Sequence, residues 1–496
     1  MNLKIVSLVF IVLGVTSCIP EQTTVSPPVD TTQSFSRAGT EQMPHKWWRA
    51  FEDQGLDKLV DTALANNFNL RTTWQRLQEA RAVVDRASSD FFPSLDASIQ
   101  GESSSFLSDF RQSQSFRLGM SAGYEVDLWG RIGSRVEAER YRAQASRSDY
   151  KTAALSLSAG VVRTWFQLAE ARSQLELISN QIETNRKVLE LMEARFGSGQ
   201  IRSPDILRQR RLLESTREQK LTVESQQQVL EHRLAVLLGR PPQGDLDTGL
   251  DSLPSLPPLP ETGMPMELVR RRPDVRQAYR QLQAADRDWA SAASRRYPRL
   301  SLSASLTTGA DQAGNLFKDW ARSLAGNLMT PLFYGGQLNA EVDRTRAVKK
   351  QRLYHYGQTV LNAFREVEDA LIQECKKKQT IESLQRQLQL ANQTYQQLRL
   401  EYFNGMGDYL DVLTALDQAQ RLRRELLSAK LQLLEYRVAL YRALAGGFQT
   451  AREANQPAPD GSGQNNGDGH QTKAPNVDSP KNAGSTSQEG NQDPPE

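Results

Sequence analysis

Residues 116–128 alternate with period two over thirteen positions. Phe116, Leu118, Met120, Ala122, Tyr124, Val126 and Leu128 fall on one side, and Arg117, Gly119, Ser121, Gly123, Glu125 and Asp127 on the other. Such alternation predicts a strand with one apolar and one wet face. At about 3.3 Å per residue it is long enough to cross a bilayer, which takes roughly 9–11 tilted residues. Residues 94–102 set Leu95, Ala97 and Ile99 against Asp96, Ser98 and Gln100, and residues 299–308 set Leu300, Leu302, Ala304 and Leu306 against serines and Thr307. Residues 322–332 carry a weaker version, with Leu324, Leu328 and Leu332 on one face. One such strand alone reads more readily as a strand of a soluble sheet. Nearly everything else, however, reads as long helix, which leaves no second layer to cover a sheet. The strands must close with other copies of themselves or lie in lipid.

The helical pattern begins over residues 53–89, where Leu56, Leu59, Val60, Ala63, Leu64, Leu70, Trp74, Leu77 and Ala80 recur mostly at steps of three and four. A far longer helix is predicted over 131–196. Its apolar positions alternate steps of four and three at Leu155, Ala159, Val162, Phe166 and Ala169. They resume out of phase at Leu175, Ile178, Ile182, Asn185, Leu189, Met192 and Phe196. This is the seam of helices packed knobs-into-holes, on the order of 100 Å long. Gly197-Ser-Gly199 breaks it without any phosphate-loop continuation, and Ser203-Pro204-Asp205 restarts a helix that runs to Leu238.

The order then recurs: helix over 266–295, strands at 299–308 and 322–332, a long helix over 337–402, a break at Asn404-Gly405 and a returning helix over 409–444. Pro93 and Pro298 lie 205 residues apart, and Phe196 and Tyr402, Gly199 and Gly405, and Asp205 and Asp411 each lie 206 apart. The chain is therefore a duplicated helix–strand–strand–long helix–helix unit. It occupies residues 45–242 and 265–448, joined by a Pro-rich connector at 243–264. Four strands per chain are too few for a barrel, since the smallest have about eight. The expected fold is mostly α with a membrane β-barrel shared between copies, from which the helices project as a coiled-coil cylinder.

Composition narrows the function. A net charge of +3 over 496 residues gives no footprint for nucleic acid. Four histidines and two cysteines exclude most metal frameworks, and no nucleophile–base set stands at informative spacing, so neither enzyme nor cofactor is expected. Residues 1–17 read as an export signal, with Lys4 before an apolar run too short to span as a helix. Val15-Thr16-Ser17-Cys18 resembles the lipobox of bacterial lipoproteins, which implies cleavage before Cys18 and its acylation by membrane lipid. Ile19 is not the aspartate that marks inner-membrane retention, and Cys375 is left without a disulfide partner. Residues 18–44 read as a flexible tether and 449–496 as a disordered polar tail.

Trp47-Trp48-Arg-Ala-Phe51, Ala63-Leu-Ala-Asn-Asn67, Asp127-Leu-Trp-Gly-Arg131, Arg270-Arg-Arg-Pro-Asp-Val275, Tyr297-Pro-Arg-Leu300 and Asp411-Val-Leu413 occur in order along residues 45–448. In these pieces the chain resembles the outer-membrane efflux protein (TolC-like) family, and within it the lipoprotein branch that serves resistance-nodulation-division pumps. The resemblance implies a homotrimer with a twelve-stranded barrel in the outer membrane and a helical tunnel through the periplasm. It implies docking to a periplasmic adaptor and an inner-membrane transporter, which supplies the energy while the channel is a passive duct. It further implies that Asp411 forms a three-fold ring at the closed periplasmic end and that Tyr402 joins the bonds holding the inner coil shut. Asp205, just after Ser203-Pro204, reads first as a helix N-terminal acid. Gly407 stands where some members carry a locking arginine, and Thr414 where some carry a second aspartate ring; Asp408 is the candidate replacement carboxylate. Lys376-Lys-Lys378 reads as a solvated helix face, Trp47 and Trp48 as packing residues, and Phe106, Phe110 and Phe116 as rim or loop aromatics. Rival readings are a channel for type I protein secretion and a pore-less coiled-coil lipoprotein; the lipobox speaks against the first and the amphipathic strands against the second.

Overall fold

The computed structural model describes residues 34–105, 112–242 and 252–454. Helices α1 (Gln54–Asn66) and α2 (Phe68–Ser88) lead into strands β1 (Ser94–Ser105) and β2 (Gln112–Val126). Helices α3 (Arg131–Gly197) and α4 (Ser203–Leu237) follow. The second half repeats this with α5 (Pro265–Arg271), α6 (Pro273–Ser294), β3 (Arg299–Ala310), β4 (Trp320–Met329), α7 (Gln337–Phe403) and α8 (Tyr409–Leu444). A compact unit ends at Ala451; of the following unit, Arg452–Glu496, only the end of a short helix, Ala451–Ala454, is described. The signal peptide, Cys18, Phe106, Phe110 and the polar tail beyond residue 454 lie outside the described residues.

The sheet runs β1-β2-β3-β4, every neighbour antiparallel. Its register aligns like with like across all four strands. Leu95, Ala122, Ala304 and Leu324 form one row, and Val126, Leu300 and Leu328 another. Their in-between neighbours form rows such as Asp96, Ser121, Ser305 and Ser323. One face is thus mainly apolar, with Arg322 as the charged member of the Met120–Leu306 row, and the other is polar, mostly serine and glycine with Asp96, Arg117 and Glu125 among them. The apolar face is bare: Ile99 is 82% exposed and Leu324 84%. β1 and β4 are edges that pair with nothing further among the described residues.

β4 differs from expectation at its end. It stops at Met329, because Pro331 has no N–H for a ladder, and Leu332 stands free beyond it. β2 likewise ends at Val126, because Asp127 turns to cap α3: its carboxylate accepts Ile132 N at 3.0 Å and Gly133 N at 2.7 Å. Gly130, the residue before α3, has φ +67 and no side chain to do this. Trp129 fastens the same corner, donating to Pro298 O at 2.7 Å and stacking on Tyr297.

The helix expected over 53–89 is broken at Asn67, whose side chain caps α2 at Leu70 N and donates to Leu237 O. Its counterpart over 266–295 is broken at Arg272, held extended by the following Pro273. α3 and α7 both run 67 residues, roughly 100 Å each. α3 packs on α4, α6 and α2, and α7 on α8 and α6. Trp47 and Trp48 are fully buried, with Phe51, Phe166, Tyr441 and Phe448 around them. The end of the expected tether is pinned, since the apolar ring of Phe35 is drawn into the core at Phe364 and Ser36 Oγ donates to Glu368 at 2.5 Å. Lys377 and Lys378 are engaged by Gln432 and Glu374.

Candidate functional site

The long helices end in two hairpins of the same construction. Gly199 N donates to Phe196 O at 2.9 Å and Gln200 N to Arg195 O at 3.1 Å; Gly405 N donates to Tyr402 O at 3.1 Å and Met406 N to Glu401 O at 2.9 Å. Each is the paired-bond stop whose left-handed residue is glycine, with φ +75 at Gly199 and +76 at Gly405. α4 restarts on Pro204, with φ already fixed for a helix, and α8 on Asp408, whose side chain accepts Leu410 N at 3.1 Å.

The first turn of α8 has two faces. Tyr409, Val412 and Leu413 are buried against Met192, Ile201 and Ile206. Asp411 and Thr414 face away and are exposed, and the Asp411 carboxylate has no hydrogen bond or ion pair among the described residues. Asp205, its counterpart in the first repeat, is buried and held by Arg208 at 3.1 Å and Arg202 at 3.4 Å. The two aspartates that the repeat makes equivalent therefore have opposite environments.

Arg202 ties the hairpins together. Its guanidinium reaches both oxygens of Asp408 at 3.3 Å while Nε faces Asp205. The Leu410 amide and then Arg202 hold the Asp408 carboxyl below the usual carboxylate range. Tyr402 is half-buried, its ring 5.4 Å from Tyr409; burial first, and the charge of Asp205 next, push its hydroxyl above the ordinary phenol value. Gly407 lies by Glu401 and Tyr402.

Behind the tips a buried polar chain joins α3, α4 and α8. Tyr409 donates to Gln209 Oε1 at 2.7 Å, and Gln209 donates to Asn185 O at 2.7 Å. Asn185, fully buried, donates to Thr216 Oγ1 at 3.0 Å and accepts from Gln420 at 3.1 Å. Sequence reasoning places Asn185 on the α3 seam but misses its partners. It also misses Arg202, although the 206-residue spacing to Asp408 is there to be found. Phe196, expected on the same seam, is 47% exposed.

The chain matches the family described as outer membrane efflux protein over residues 59–240 and 264–446. The pyoverdine export outer membrane protein OpmQ of Pseudomonas aeruginosa is 32% identical over 430 residues, covering 82% of this chain and 88% of its own. The cation efflux system protein CusC of Escherichia coli is 28% identical over 88% of this chain and 98% of its own. The open-state MtrE outer membrane channel of Neisseria gonorrhoeae superposes with TM-score 0.78 at 27% identity, over 87% of this chain and 98% of that one.

Proposed function

The chain belongs to the outer membrane efflux protein family, whose members are outer-membrane channels and not enzymes, and from this we propose that it is the exit duct of a tripartite efflux system. Three copies close their four-stranded sheets into one twelve-stranded barrel, and the α3–α4 and α7–α8 hairpins form a tunnel below it. The observation that carries this reading is the sheet: both edges free, one face mainly apolar and bare, the other polar. An open edge is unstable alone, and closure with identical copies removes it while putting the apolar rows in lipid. Cys18, acylated after signal cleavage, anchors each copy to the outer membrane, with the helices projecting into the periplasm.

Transport is passive in this component. An inner-membrane transporter expels a small molecule or ion, and an adaptor seals the junction at the helix tips. Exposed Met406, Leu410 and Leu207 at those tips support an apolar docking surface. In the trimer three Asp411 carboxylates, each without an internal partner, converge on the axis and hold cations at the closed mouth. Opening swings α7–α8 away from α3–α4 and breaks the Arg202–Asp408 pair with the Tyr409–Gln209 and Gln420–Asn185 bonds. The neutral bonds contribute about 0.5–1.5 kcal/mol each, so a docked adaptor can supply the difference. Particle imaging of the detergent-purified full-length protein tests the architecture: a hollow three-fold tube longer than about 100 Å is expected, and a monomer or solid rod rules the duct out.

A further inference from the structure

A cavity of about 270 Å³ lies beside the gate residues, between the last turns of α3 and α7 and the first turn of α8. Its walls are aromatic and aliphatic: Tyr395, Tyr402, Phe403 and Tyr409 face Met192 and Ile201. Its charged lining is cationic only, from Lys187, Arg195 and Arg399. Arg195 sits 4.6 Å from the Phe403 ring centroid and Arg399 5.6 Å, so two guanidiniums share one ring.

Neither arginine has a carboxylate partner among the described residues, whereas the acids nearby are engaged elsewhere. Glu193 pairs with Arg210 at 2.7 Å, Glu183 with Arg186 at 2.6 Å and with Lys187 at 3.3 Å, and Glu401 accepts from Gln397 at 2.9 Å. The hydroxyls of Tyr395 and Tyr402 likewise have no hydrogen-bond partner among the described residues. Two cations without carboxylate partners at one aromatic ring, two free phenol donors and an apolar floor form a site with a specific deficit. What it lacks is an anion carried on a flat apolar body.

We propose that this cavity binds a small amphipathic anion, an aromatic carboxylate or sulfonate of about two fused rings. Its rings lie against Phe403 and Tyr402, and its charge sits between Arg195 and Arg399. The occupant touches α3, α7 and α8 together and is held within one copy of the chain, so the site does not depend on the trimer.

The test is equilibrium dialysis of the full-length protein in lipid nanodiscs against 2-naphthoate, with the uncharged 2-naphthylmethanol run in parallel. One saturable site per chain is expected for naphthoate, with the alcohol held at least about tenfold more weakly. Arg195→Gln with Arg399→Gln removes the charge but keeps both stems, and is expected to weaken naphthoate by at least about tenfold. Val188→Trp fills the cavity without touching a charge and is expected to abolish the site. Equal uptake by wild type and both variants, or equal binding of acid and alcohol, means partition into lipid and overturns the proposal. Loss in the tryptophan variant with no change in the glutamine variant overturns the anion and leaves a merely apolar pocket.

Discussion

Arg202 and Asp408 occupy equivalent positions of the two repeats, 206 residues apart, and they are paired with each other at 3.3 Å. Each stands immediately before its returning helix, as the N-cap of α4 and of α8. A duplicated hairpin would ordinarily put the same residue at both places. Here divergence to opposite charges turns an internal symmetry into a cross-link between the two halves of the tip.

Arg202→Gln and Asp408→Asn each remove the pair; asparagine still caps Leu410 N and so isolates the charge. Both side chains are exposed, and exposed pairs contribute little, so channel opening in planar bilayers is expected to rise by no more than about fivefold. The double variant is expected to open no further than either single one, since both remove the same contact. The lowered Asp408 value fixes the pH sign. The contact is fully present above the ordinary carboxylate value of 3.8 and is lost as pH falls through the lower folded one.

Asp411 and Asp205 separate by assay. Asp411→Asn is expected to abolish block of the channel by multivalent cations while leaving thermal stability within about 0.5 kcal/mol, as for an exposed residue without partners. Asp205→Asn removes the buried carboxylate that Arg208 and the Arg202 Nε hold, leaving Arg202 only Asp408, and is expected to destabilise the protein without changing cation block. Current recordings with and without a trivalent cation, beside thermal melts, distinguish them.

How far the sequence is legible follows from what periodicity can see. The strands, both 67-residue helices and the glycine stops are written in local patterns, so β1, β2 and β3 begin within four residues of expectation. The strands stop short of Leu128 and Leu332, because apolar residues continue the alternation after Asp127 caps a helix and Pro331 ends the ladder. The breaks at Asn67 and Arg272 are hidden because apolar spacing continues through them. At the tips, resemblance marks Asp411, but periodicity carries no trace of its exposure against the burial of Asp205. That difference is tertiary: α4 turns Asp205 toward two arginines, and α8 turns Asp411 away from its own core. The links of Asn185 to Gln209 and Gln420 are equally invisible, since each joins helices far apart in the chain.

Cys18→Ser is expected to leave the mature protein without covalent lipid, a loss that intact mass measurement reads directly. On the proposed reading the barrel, not the anchor, holds the duct together, so trimers are expected still to assemble. Fractionation is expected to find fewer of them in the outer membrane.

Asp127 caps α3 through two backbone amides at the strand–helix corner. Asp127→Ala is expected to cost about 1–2 kcal/mol, and Asp127→Asn much less, as for other N-terminal caps. Urea unfolding followed by circular dichroism checks the order of the three proteins.

The largest single effect is expected at Arg437, which is fully buried and grips Glu374 at 2.7 and 2.8 Å. It also donates to the carbonyls of Pro257 and Pro258, pinning the connector to α8. Arg437→Ala leaves a buried carboxylate, for which about 3–5 kcal/mol is typical; Lys378, 2.9 Å from Glu374, keeps the loss toward the lower figure. Burial pushes the Glu374 carboxyl up, but Arg437 outweighs it and the folded value lies below the ordinary 4.5. Its contribution is therefore complete above that value and lost as pH falls through the lower folded one. Urea midpoints of wild type are accordingly expected to drop between pH 6 and pH 3.5 more than those of Glu374→Gln. Replacing both members of the pair at once, Glu374→Leu with Arg437→Met, would be near neutral if the ion pair were all that mattered. It strands two proline carbonyls as well, so the double variant is expected to remain destabilised, by about 1–3 kcal/mol for each carbonyl that water does not reach. A double variant as stable as wild type would mean that the connector is held by its apolar contacts instead.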